Sequence, residues 1–431
     1  MAEPPAKRTR LSVQQQQQVI QQQIQQQQMQ QHQMALQQAQ AHQLQQQYFQ
    51  QQALQHLQQQ QLMQKMIFAN SSQTKPPDDK TLIGEGTFGK VFRQKDSKSN
   101  EQVAVKEFKA KGDIEGIPIG AYREFMLLRE LQHPNIVCAR DISVDPKAKT
   151  IKMVMDYAEY DLNELIKYHA KILFKPPVSH MCKSVMQQLL LGLDYLHSNW
   201  IIHRDLKPSN VLVMGLNSSQ AGVVKIADFG LARIFQSPLQ PLYHNGVVVT
   251  IWYRSPELLL GARHHTSAVD MWAMGCIFAE LLSAVPIFPG RERDKNNPTL
   301  FQDSQLDKIF NILGVPDESK WPNLKDLPYW VNRSSWTELL TNINSYPRQS
   351  KLATTSPYFK DPLVFDLLQK LLEYDPNTRL SASAALQHDY FKSAPLPSPN
   401  CLQLTANPYP SREEMAKIMD SQARRESGRR N

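Results

Sequence analysis

The sequence predicts an α+β fold with two lobes, of which the first is small and rich in strands and the second is larger and helical. Apolar, strand-like runs occur at residues 82–83 and 103–105, where small and β-branched side chains favour a sheet. A longer apolar run begins at Asp270 and continues to residue 282, as expected for the buried central helix of a helical lobe. Its roughly ten apolar positions are too few to span a membrane, which takes ~20 residues.

A glycine-rich stretch follows the first strand-like run. When such a stretch joins two strands, its backbone can cover the phosphates of a nucleotide. Taken alone, the pattern fits an ordinary turn at least as well. The residues of this candidate loop are Ile83, Gly84, Glu85, Gly86, Thr87, Phe88, Gly89, Lys90 and Val91.

Lys106 ends the second strand-like run, and Glu124 is its predicted partner. Glu124, Leu128 and Leu131 share one face of a helix predicted over residues 121–131, because they are four and seven positions apart. An isolated lysine at a strand end is usually an exposed charge. Paired with Glu124, Lys106 would instead hold the α- and β-phosphates of a nucleotide.

Residues 201–210 (IIHRDLKPSN) and 228–230 (DFG) carry most of the predicted chemistry. Phosphoryl transfer needs positioning and charge neutralisation more than covalent help from the protein. Asp205 is the predicted base that accepts the proton of the attacking hydroxyl, and Lys207 would steady the transferred phosphate. The predicted metal ligands are Asn210 and Asp228, whose oxygens suit Mg²⁺. Together, these motifs predict a protein kinase that uses ATP and Mg²⁺.

A buried ion pair is predicted in the helical half. Glu257 closes the segment that opens at Asp228, and Arg379 is its candidate partner. Either residue alone would be interpreted as a surface charge. A buried carboxylate needs a partner of opposite charge, so the pair would tie this segment to the helical lobe.

The sequence resembles the cyclin-dependent kinases and, among them, the kinase of the Mediator kinase module. This resemblance rests on residues 155–161 (MDYAEYD), 195–200 (YLHSNW), 247–254 (VVVTIWYR) and 258–264 (LLLGARH), and it extends from about residue 82 to 391. It implies a bilobal protein kinase fold, with a small β-rich N-lobe and a larger α-helical C-lobe. It also implies Ser/Thr kinase activity.

The resemblance implies further site residues. Met155 would be the gatekeeper and residues 156–158 the hinge that binds adenine. Thr250 would belong to the catalytic centre, where residues 248–250 shape a site for proline after the phosphorylated residue, since proline has no N–H to leave unpaired. The implied nucleotide-binding residues outside the glycine-rich stretch are Ala104, Lys106, Asp156, Ala158, Asp161 and Leu212.

The partners implied by the resemblance are a C-type cyclin and the other subunits of the Mediator kinase module. The implied substrates are the C-terminal repeats of RNA polymerase II and transcription factors, which places the protein in the nucleus. Ile117, Ile119 and Ala121 suit a cyclin-binding surface, and cyclin docking would swing Glu124 towards Lys106. The alternative is a scaffold that uses a kinase fold only to bind partners, although no metal ligand is lost.

The activation segment lacks its usual threonine. Five residues before Thr250 stands Asn245, which cannot accept phosphate. Arg123, Arg204 and Arg233 would converge on that phosphate and repel one another without it. We expect an acidic side chain of a further subunit to compensate them. The open alternatives are phosphorylation of Tyr243 or Thr250, or screening by solvent and anions.

Three positions depart from the pattern of the resembled family. Ser255 stands in place of alanine, and Gly120 in place of a serine N-cap that glycine replaces at modest cost. Phe229 stands where animal members carry methionine. With the glutamine-rich N-terminal part, this last difference favours a fungal or other non-animal source.

The composition divides the 431 residues into five parts. Residues 1–12 form a basic tail that fits a nuclear import signal or a solvated tail. Residues 13–64 are glutamine-rich and are predicted to be disordered with helical stretches, either associating with transcription factors or inert. Residues 65–80 are predicted to be a linker, 81–391 the kinase domain and 392–431 a C-terminal tail with an exposed charged helix at 412–429.

The charge and the cysteines exclude several classes of protein. The formal charge of +8 is not accompanied by a zinc-finger, RNA-recognition or basic-zipper motif, so no direct sequence-specific binding of nucleic acid is expected. The four cysteines have no metal or disulfide spacing, which suits a reducing compartment. The N-terminal residues include no apolar signal region, so we expect neither secretion nor membrane insertion.

Overall fold

The computed structural model of the protein describes residues 80–86, 89–96, 99–109, 119–145, 150–235, 251–291, 302–332, 345–403 and 409–428. The chain divides into two units, Met1–Gln73 and Thr74–Asn431, and every described residue belongs to the second unit. The predicted basic tail, the glutamine-rich segment and nearly all of the linker therefore lie outside the described residues.

The N-lobe is a five-stranded antiparallel sheet in the order β1-β2-β3-β5-β4. Its strands are β1 Thr81–Gly86, β2 Gly89–Lys95, β3 Gln102–Lys109, β4 Ala139–Asp145 and β5 Thr150–Asp156. Gly86 pairs with Gly89, so the glycine-rich stretch joins two strands as predicted. Gly89 lets β2 approach β3 closely, because a Cβ there would lie 2.2 Å from the backbone oxygen of Glu107.

Helix α1, Ile119–Glu130, packs on this sheet through the face that the sequence predicts. Glu124 and Leu128 are each 1% exposed. The ring of Phe125 meets that of Phe108 on β3 edge-on, with 4.7 Å between the ring centroids, a favourable geometry for two aromatic rings. This apolar contact aims Glu124 at the sheet.

The C-lobe is mainly helical. In the described residues its helices are α2 Leu162–Tyr168, α3 Ser179–Ser198, α4 Pro256–Leu259, α5 Ala268–Ser283, α6 Asp303–Leu313, α7 Pro328–Val331, α8 Leu352–Thr355, α9 Pro362–Leu371, α10 Ala382–Leu386, α11 Asp389–Lys392 and α12 Arg412–Gly428. A π-helical turn, His169–Leu173, continues α2. Two small sheets complete the lobe: β6 Tyr160–Asp161, β8 Val211–Val213 and β9 Val224–Ile226 form one, and β7 Ile201–Ile202 pairs with β10 Arg233–Ile234 in the other.

Helix α5 is the buried central helix that the apolar run predicts. Every residue from Ala268 to Leu282 is buried, and the ring of Trp272 stacks on Phe288. Cys182 of α3 and Cys276 of α5 are core residues, as predicted. In the part of the chain that the structure describes, no helix is both long and apolar enough to cross a membrane.

The chain stays in contact with the C-lobe beyond the predicted end of the kinase domain at residue 391. The Lys183 ammonium donates to the backbone oxygen and to the hydroxyl of Ser393, both at 2.7 Å. Cys401 is fully buried, and its N–H donates to the backbone oxygen of Gly222 at 3.0 Å. The charged helix expected near the C-terminus is α12, and its Met415 is only 2% exposed.

The buried ion pair predicted between Glu257 and Arg379 is present. Two guanidinium nitrogens of Arg379 donate to the two carboxylate oxygens of Glu257, at 2.8 and 2.9 Å. The guanidinium also donates to the backbone oxygens of Ala268, Glu373 and Tyr374. Every N–H group of the Arg379 guanidinium therefore has an acceptor. A buried ion pair is tolerated under this condition.

Replacing Arg379 by methionine should destabilise the protein by about 3–5 kcal/mol, because Glu257 would remain as a buried charge without its partner. Chemical denaturation of Arg379→Met and of the parent protein measures this difference. The double variant Arg379→Met with Glu257→Leu should recover part of the loss, since no charge is then left buried. A loss below about 1 kcal/mol for the single variant would contradict this account.

Candidate active site

The cleft between the lobes brings together a lysine and two carboxylates. The ammonium of Lys106 on β3 lies 2.7 Å from both carboxylate oxygens of Glu124 and 3.6 Å from Oδ1 of Asp228. Burial alone would lower the pKa of Lys106, but the two facing carboxylates raise it above its usual value. Lys106 is therefore held as a fixed positive charge, as its proposed role towards phosphates requires.

The predicted ion pair between Lys106 and Glu124 is present. Apolar contacts such as that of Phe125 with Phe108 hold α1 where this pair can form. That cyclin docking moves Glu124 towards Lys106 stays a prediction.

The carboxylate of Asp205 in the cleft is contacted by Lys207 and Asn210. The ammonium of Lys207 lies 2.9 Å from Oδ2 of Asp205. The side-chain amide of Asn210 donates to the backbone oxygen of Asp205 at 2.7 Å and to its Oδ2 at 3.1 Å. The amide N–H groups of Asn210 thereby orient the Asp205 carboxylate. The amide oxygen of Asn210 is an acceptor only, so it can bind a cation.

Asp228 adopts a left-handed backbone conformation, with φ of 66°. A non-glycine residue in this region is strained, and such strain often occurs at functional sites. Burial opposes ionisation of Asp228, but Lys106, His203 and Lys207, with the backbone N–H of Gly230, together more than offset it and lower the pKa of this carboxyl. The next residue, Phe229, is fully buried with its ring 5.0 Å from that of His203, and this contact keeps Asp228 turned into the cleft.

Asp270 holds the catalytic loop, a role that the sequence analysis missed. Its carboxylate accepts the backbone N–H groups of His203 at 2.9 Å and Arg204 at 2.8 Å, and it lies 3.0 Å from the His197 ring. Arg204 has a φ of 70°, so its strained backbone depends on these bonds. Although burial favours the neutral form, these donors lower the pKa of Asp270. The signal was an aspartate at the start of an otherwise apolar helix.

The hinge contains a second network that the sequence analysis missed. The Asp156 carboxylate pairs with the guanidinium of Arg140 on β4 and lies 3.5 Å from the ammonium of Lys225 on β9. Met155 and Ala158 on either side are 9% and 6% exposed. The side chain of Asp156 is thus engaged behind the hinge, which leaves its backbone groups as the ones that can face a nucleotide base.

Asp161 begins α2 as its N-cap. Its Oδ1 accepts the N–H of Glu164, and the Glu164 carboxylate accepts the N–H of Asp161, which completes a capping box. Burial, reinforced by the charge of Glu164, raises the pKa of Asp161 to about 6. A guanidinium nitrogen of Arg412 on α12 lies 3.5 Å from Oδ2 of Asp161. Arg412 lies far along the chain from this site, so the sequence analysis did not connect the two.

The remaining predicted residues are placed as follows. Ile83, Gly84, Glu85, Gly86, Gly89, Lys90 and Val91 lie on β1 and β2, Ala104 is buried on β3, and Leu212 is on β8. Thr87, Phe88, Ile117, Tyr243, Asn245 and Thr250 lie outside the described residues, and of Ile119 only the backbone is described. The expectation that Ala121 belongs to the cyclin-binding surface is wrong, because its side chain is fully buried in the core.

The three arginines predicted to cluster do so. Arg123, Arg204 and Arg233 donate to the backbone oxygens of residues 230, 231 and 232, respectively. Burial, reinforced by the charge of Arg233, lowers the pKa of both Arg123 and Arg204 to about 10. Burial alone lowers that of Arg233. The cluster is therefore a partly desolvated positive site that favours an anionic group.

A buried glutamate lies beside the residues that follow the activation segment. The hydroxyl of Tyr253 donates to Glu280 of α5 at 2.6 Å, and Glu280 is 4% exposed. Burial raises the pKa of Glu280 to about 7, although the bond from Tyr253 partly opposes this. Because an unfolded chain ionises its glutamates near pH 4.5, ionisation of Glu280 in the folded protein costs stability.

The variant Glu280→Gln should gain stability relative to the parent as the pH rises. The contribution of Glu280 to stability is complete below pH 4.5 and is lost as the pH rises to about 7, because the folded state binds the proton more tightly. The gain should reach about 3 kcal/mol, measured as the free energy of unfolding between pH 5 and pH 8. Glu130→Gln, at an exposed position, is the matched control. A stability difference that does not change with pH would refute the raised pKa.

Comparison with known proteins agrees with this geometry. The family model described as protein kinase domain matches residues 78–391. A probable cyclin-dependent kinase 8 from Dictyostelium discoideum is 50% identical over 335 residues, which cover 77% of this chain and 84% of that protein. The serine/threonine-protein kinase SSN3 of Yarrowia lipolytica is 44% identical over 77% of this chain and 80% of its own.

A solved structure is also similar. The crystal structure of the yeast RNA Pol II CTD kinase CTDK-1 complex contains a chain that matches this protein with a TM-score of 0.61 at 35% identity. The match covers 77% of this chain and 98% of that chain. These relatives come from different kingdoms, so the non-animal source stays a prediction.

The two lobes and the charged groups between them define a phosphoryl-transferring enzyme. The chain belongs to the protein kinase family and, within it, to the cyclin-dependent Ser/Thr kinases. The predictions of fold and enzyme class are confirmed. Membership of the family implies the use of ATP and a divalent cation, together with a cyclin partner.

Proposed function

We propose that this protein is the cyclin-dependent kinase of a Mediator kinase module. It binds a C-type cyclin and transfers the γ-phosphate of ATP to Ser-Pro or Thr-Pro sites in the nucleus, in the polymerase II C-terminal repeats and in transcription factors. The observation that carries the activity is the convergence of Lys106, Asp205, Asn210 and Asp228 at one cleft. The relatives named cyclin-dependent kinase 8 and RNA Pol II CTD kinase support the substrate class.

The residues of the cleft fit Mg²⁺ and ATP. Asn210 and Asp228 offer an amide oxygen and a carboxylate, which are hard oxygen donors of the kind that Mg²⁺ prefers. When bound, the cation would neutralise the charge of the nucleotide phosphates. Lys106, fixed by Glu124 at 2.7 Å, would hold the α- and β-phosphates, and the glycine-rich stretch between β1 and β2 would cover them.

The chain's own groups would then move one proton. Asp205 accepts the proton of the substrate hydroxyl while that oxygen attacks the γ-phosphorus and the bond from the γ-phosphorus to the departing ADP oxygen breaks. Lys207, 2.9 Å from the Asp205 carboxylate, supplies a positive charge to the transferred phosphate. Asp270 holds this loop rigid through two backbone N–H groups, so no reorganisation is needed at the moment of transfer.

The preference for proline is supported by the residues that follow Thr250. Trp252 donates through its indole N–H to the backbone oxygen of Gly290 at 2.7 Å, and Arg254 donates to the side-chain oxygen of Gln302 at 3.2 Å. With the bond from Tyr253 to Glu280, three consecutive side chains anchor this segment. A rigid segment can reject a peptide whose N–H would remain unpaired, and proline has none.

The variant Asp205→Asn should fold and bind ATP like the parent but lose peptide phosphorylation by at least about 10²-fold, because the base is removed with little change in volume. The measurement uses the cyclin-bound protein with a pair of peptides that differ only in Ser-Pro against Ser-Ala. The parent should prefer the Ser-Pro peptide.

Two results would contradict the proposal. Phosphorylation by Asp205→Asn at the parental rate would remove Asp205 as the base. Equal rates on the two peptides would remove the proline preference. If the parent complex binds ATP but phosphorylates neither the peptides nor polymerase repeats, the protein is a scaffold rather than an active kinase.

The arginine cluster suggests how the activation segment is ordered. Arg123 and Arg204, whose pKa values fall to about 10, need a negative group that Asn245 cannot supply by phosphorylation. We infer that an acidic side chain of another module subunit fills the cluster and orders the segment through charge-assisted hydrogen bonds.

Phosphatase treatment of the cyclin complex should therefore leave its activity unchanged, and adding the third subunit should raise that activity. Arg233→Gln should weaken this stimulation by roughly 5- to 150-fold, the usual range of coupling between two sites, whereas Arg263→Gln, outside the cluster, should not. Peptide phosphorylation is the readout. Activity that disappears with phosphatase and returns with an upstream kinase, whatever the third subunit does, would contradict this mechanism.

A further inference from the structure

Residues 409–415 lie beside the hinge end of the cleft, where they contact both lobes. Tyr409 fixes this segment to the C-lobe. Its backbone oxygen accepts the hydroxyl of Tyr160 at 3.2 Å, and its own hydroxyl lies 2.6 Å from Nε2 of His169. The Tyr409 ring meets the rings of Tyr160, Tyr168 and His169 edge-on. These contacts bury most of Tyr409 and hold the segment in one place.

Arg412 connects the segment to the residues that follow the hinge. Its guanidinium lies 2.8 Å from Glu164 and 3.5 Å from Asp161, and its backbone N–H donates to Glu159 at 2.8 Å. The side chains of Arg412 and its two partners are each less than a quarter exposed, so solvent screens these charges only in part. Arg412 therefore neutralises the acidic end of the cleft.

The next residue, Glu413, reaches the opposite lobe. Its carboxylate lies 2.6 Å from the guanidinium of Arg93 on β2, the strand that follows the glycine-rich stretch. The Arg93 guanidinium also lies over the ring of Tyr157 in the hinge, 5.8 Å from its centroid. Arg412 and Glu413 are adjacent, carry opposite charges and bind opposite lobes. Tyr409 before them and Met415 after them anchor the segment, and so limit how far the two lobes can separate here.

We propose that residues 409–415 form a C-terminal clamp in which Arg412 and Glu413 are positioning residues that hold β2 over the nucleotide and slow its release. This inference rests on the proposed placement of the nucleotide between β2 and residues 156–161. Neither residue takes part in phosphoryl transfer. Their effect is on how often the cleft opens, because the cleft cannot widen at this edge without breaking the pair between Arg93 and Glu413.

The expected size of the effect follows from exposure. Glu413 is 58% exposed and Arg93 is 26% exposed, so breaking this pair should speed nucleotide release by about two- to five-fold and no more. Loss of the less exposed contacts in Arg412→Gln should have a larger effect. Since the pair is partly screened, its contribution should fade at high salt.

Charge exchange in the cyclin complex tests the clamp. The dissociation rate of a fluorescent N-methylanthraniloyl ATP, bound in the presence of Mg²⁺, is measured for Glu413→Arg, for Arg93→Glu and for the double exchange. KM for ATP and kcat are measured for the same variants. Each single variant should release the nucleotide about two- to five-fold faster with a higher KM for ATP. The double exchange should return both values towards those of the parent, while kcat stays within two-fold throughout.

Asp420→Arg is the matched control, because it makes the same charge change on the exposed side of α12 and should release the nucleotide at the parental rate. A second arm compares the parent with Glu413→Gln at low and high potassium chloride, where the difference should shrink as salt rises.

Single variants that release the nucleotide at the parental rate would overturn the clamp. So would a double exchange whose rate increase equals the product of the two single-variant rate increases, because the two residues would then act independently. A parent complex that binds no nucleotide would instead contradict the proposed function. The two failures are therefore distinguishable in the same experiment.

Discussion

The catalytic centre depends on one buried carboxylate, that of Asp270. It stands at the start of the central apolar helix α5 and accepts two consecutive backbone N–H groups of the catalytic loop. Hydrogen bonds to a buried charge are each worth about 1.5–3 kcal/mol, which is enough to hold Arg204 at a φ of 70°. Asp205 follows directly, and the side-chain amide of Asn210 donates to it, so the rigid helix α5 sets the orientation of both residues.

Elsewhere, charge is placed where segments from distant parts of the chain meet. Glu124 is held by Lys106, Asp156 by Arg140 and Lys225, and Glu257 by Arg379. Loss of Lys106 or of Arg379 would leave a buried carboxylate without its partner, whereas Asp156 has two cations beside it. These pairs therefore fix the relative positions of the sheet, the hinge and the helical lobe around the cleft. The arginine cluster differs, because the hydrogen bonds of its guanidinium groups to described residues go to backbone oxygens.

Much of the cleft could be predicted because its chemistry is encoded locally. The spacing within residues 201–210 and the helical face of Glu124, Leu128 and Leu131 follow from short-range geometry, and the structure contains the expected pairs of Lys106 with Glu124 and Glu257 with Arg379. The swing of Glu124 on cyclin docking stays a prediction. Thr250 and Asn245 lie outside the described residues, so the predictions for the activation segment still depend on the sequence.

The sequence by itself determined the two-lobed fold, the class of enzyme and the residues that can bind a nucleotide and transfer a phosphate, since these depend on periodicity and on motifs of fixed spacing. Only the tertiary structure decided that Asp270 supports the catalytic loop, that Arg140 and Lys225 engage Asp156, and that Arg412 and Glu413 reach the two sides of the cleft. Arg412 is separated from Asp161 by about 250 residues. The packing of helices and strands determines which distant charges come into contact. The local spacing of residues does not predict that packing.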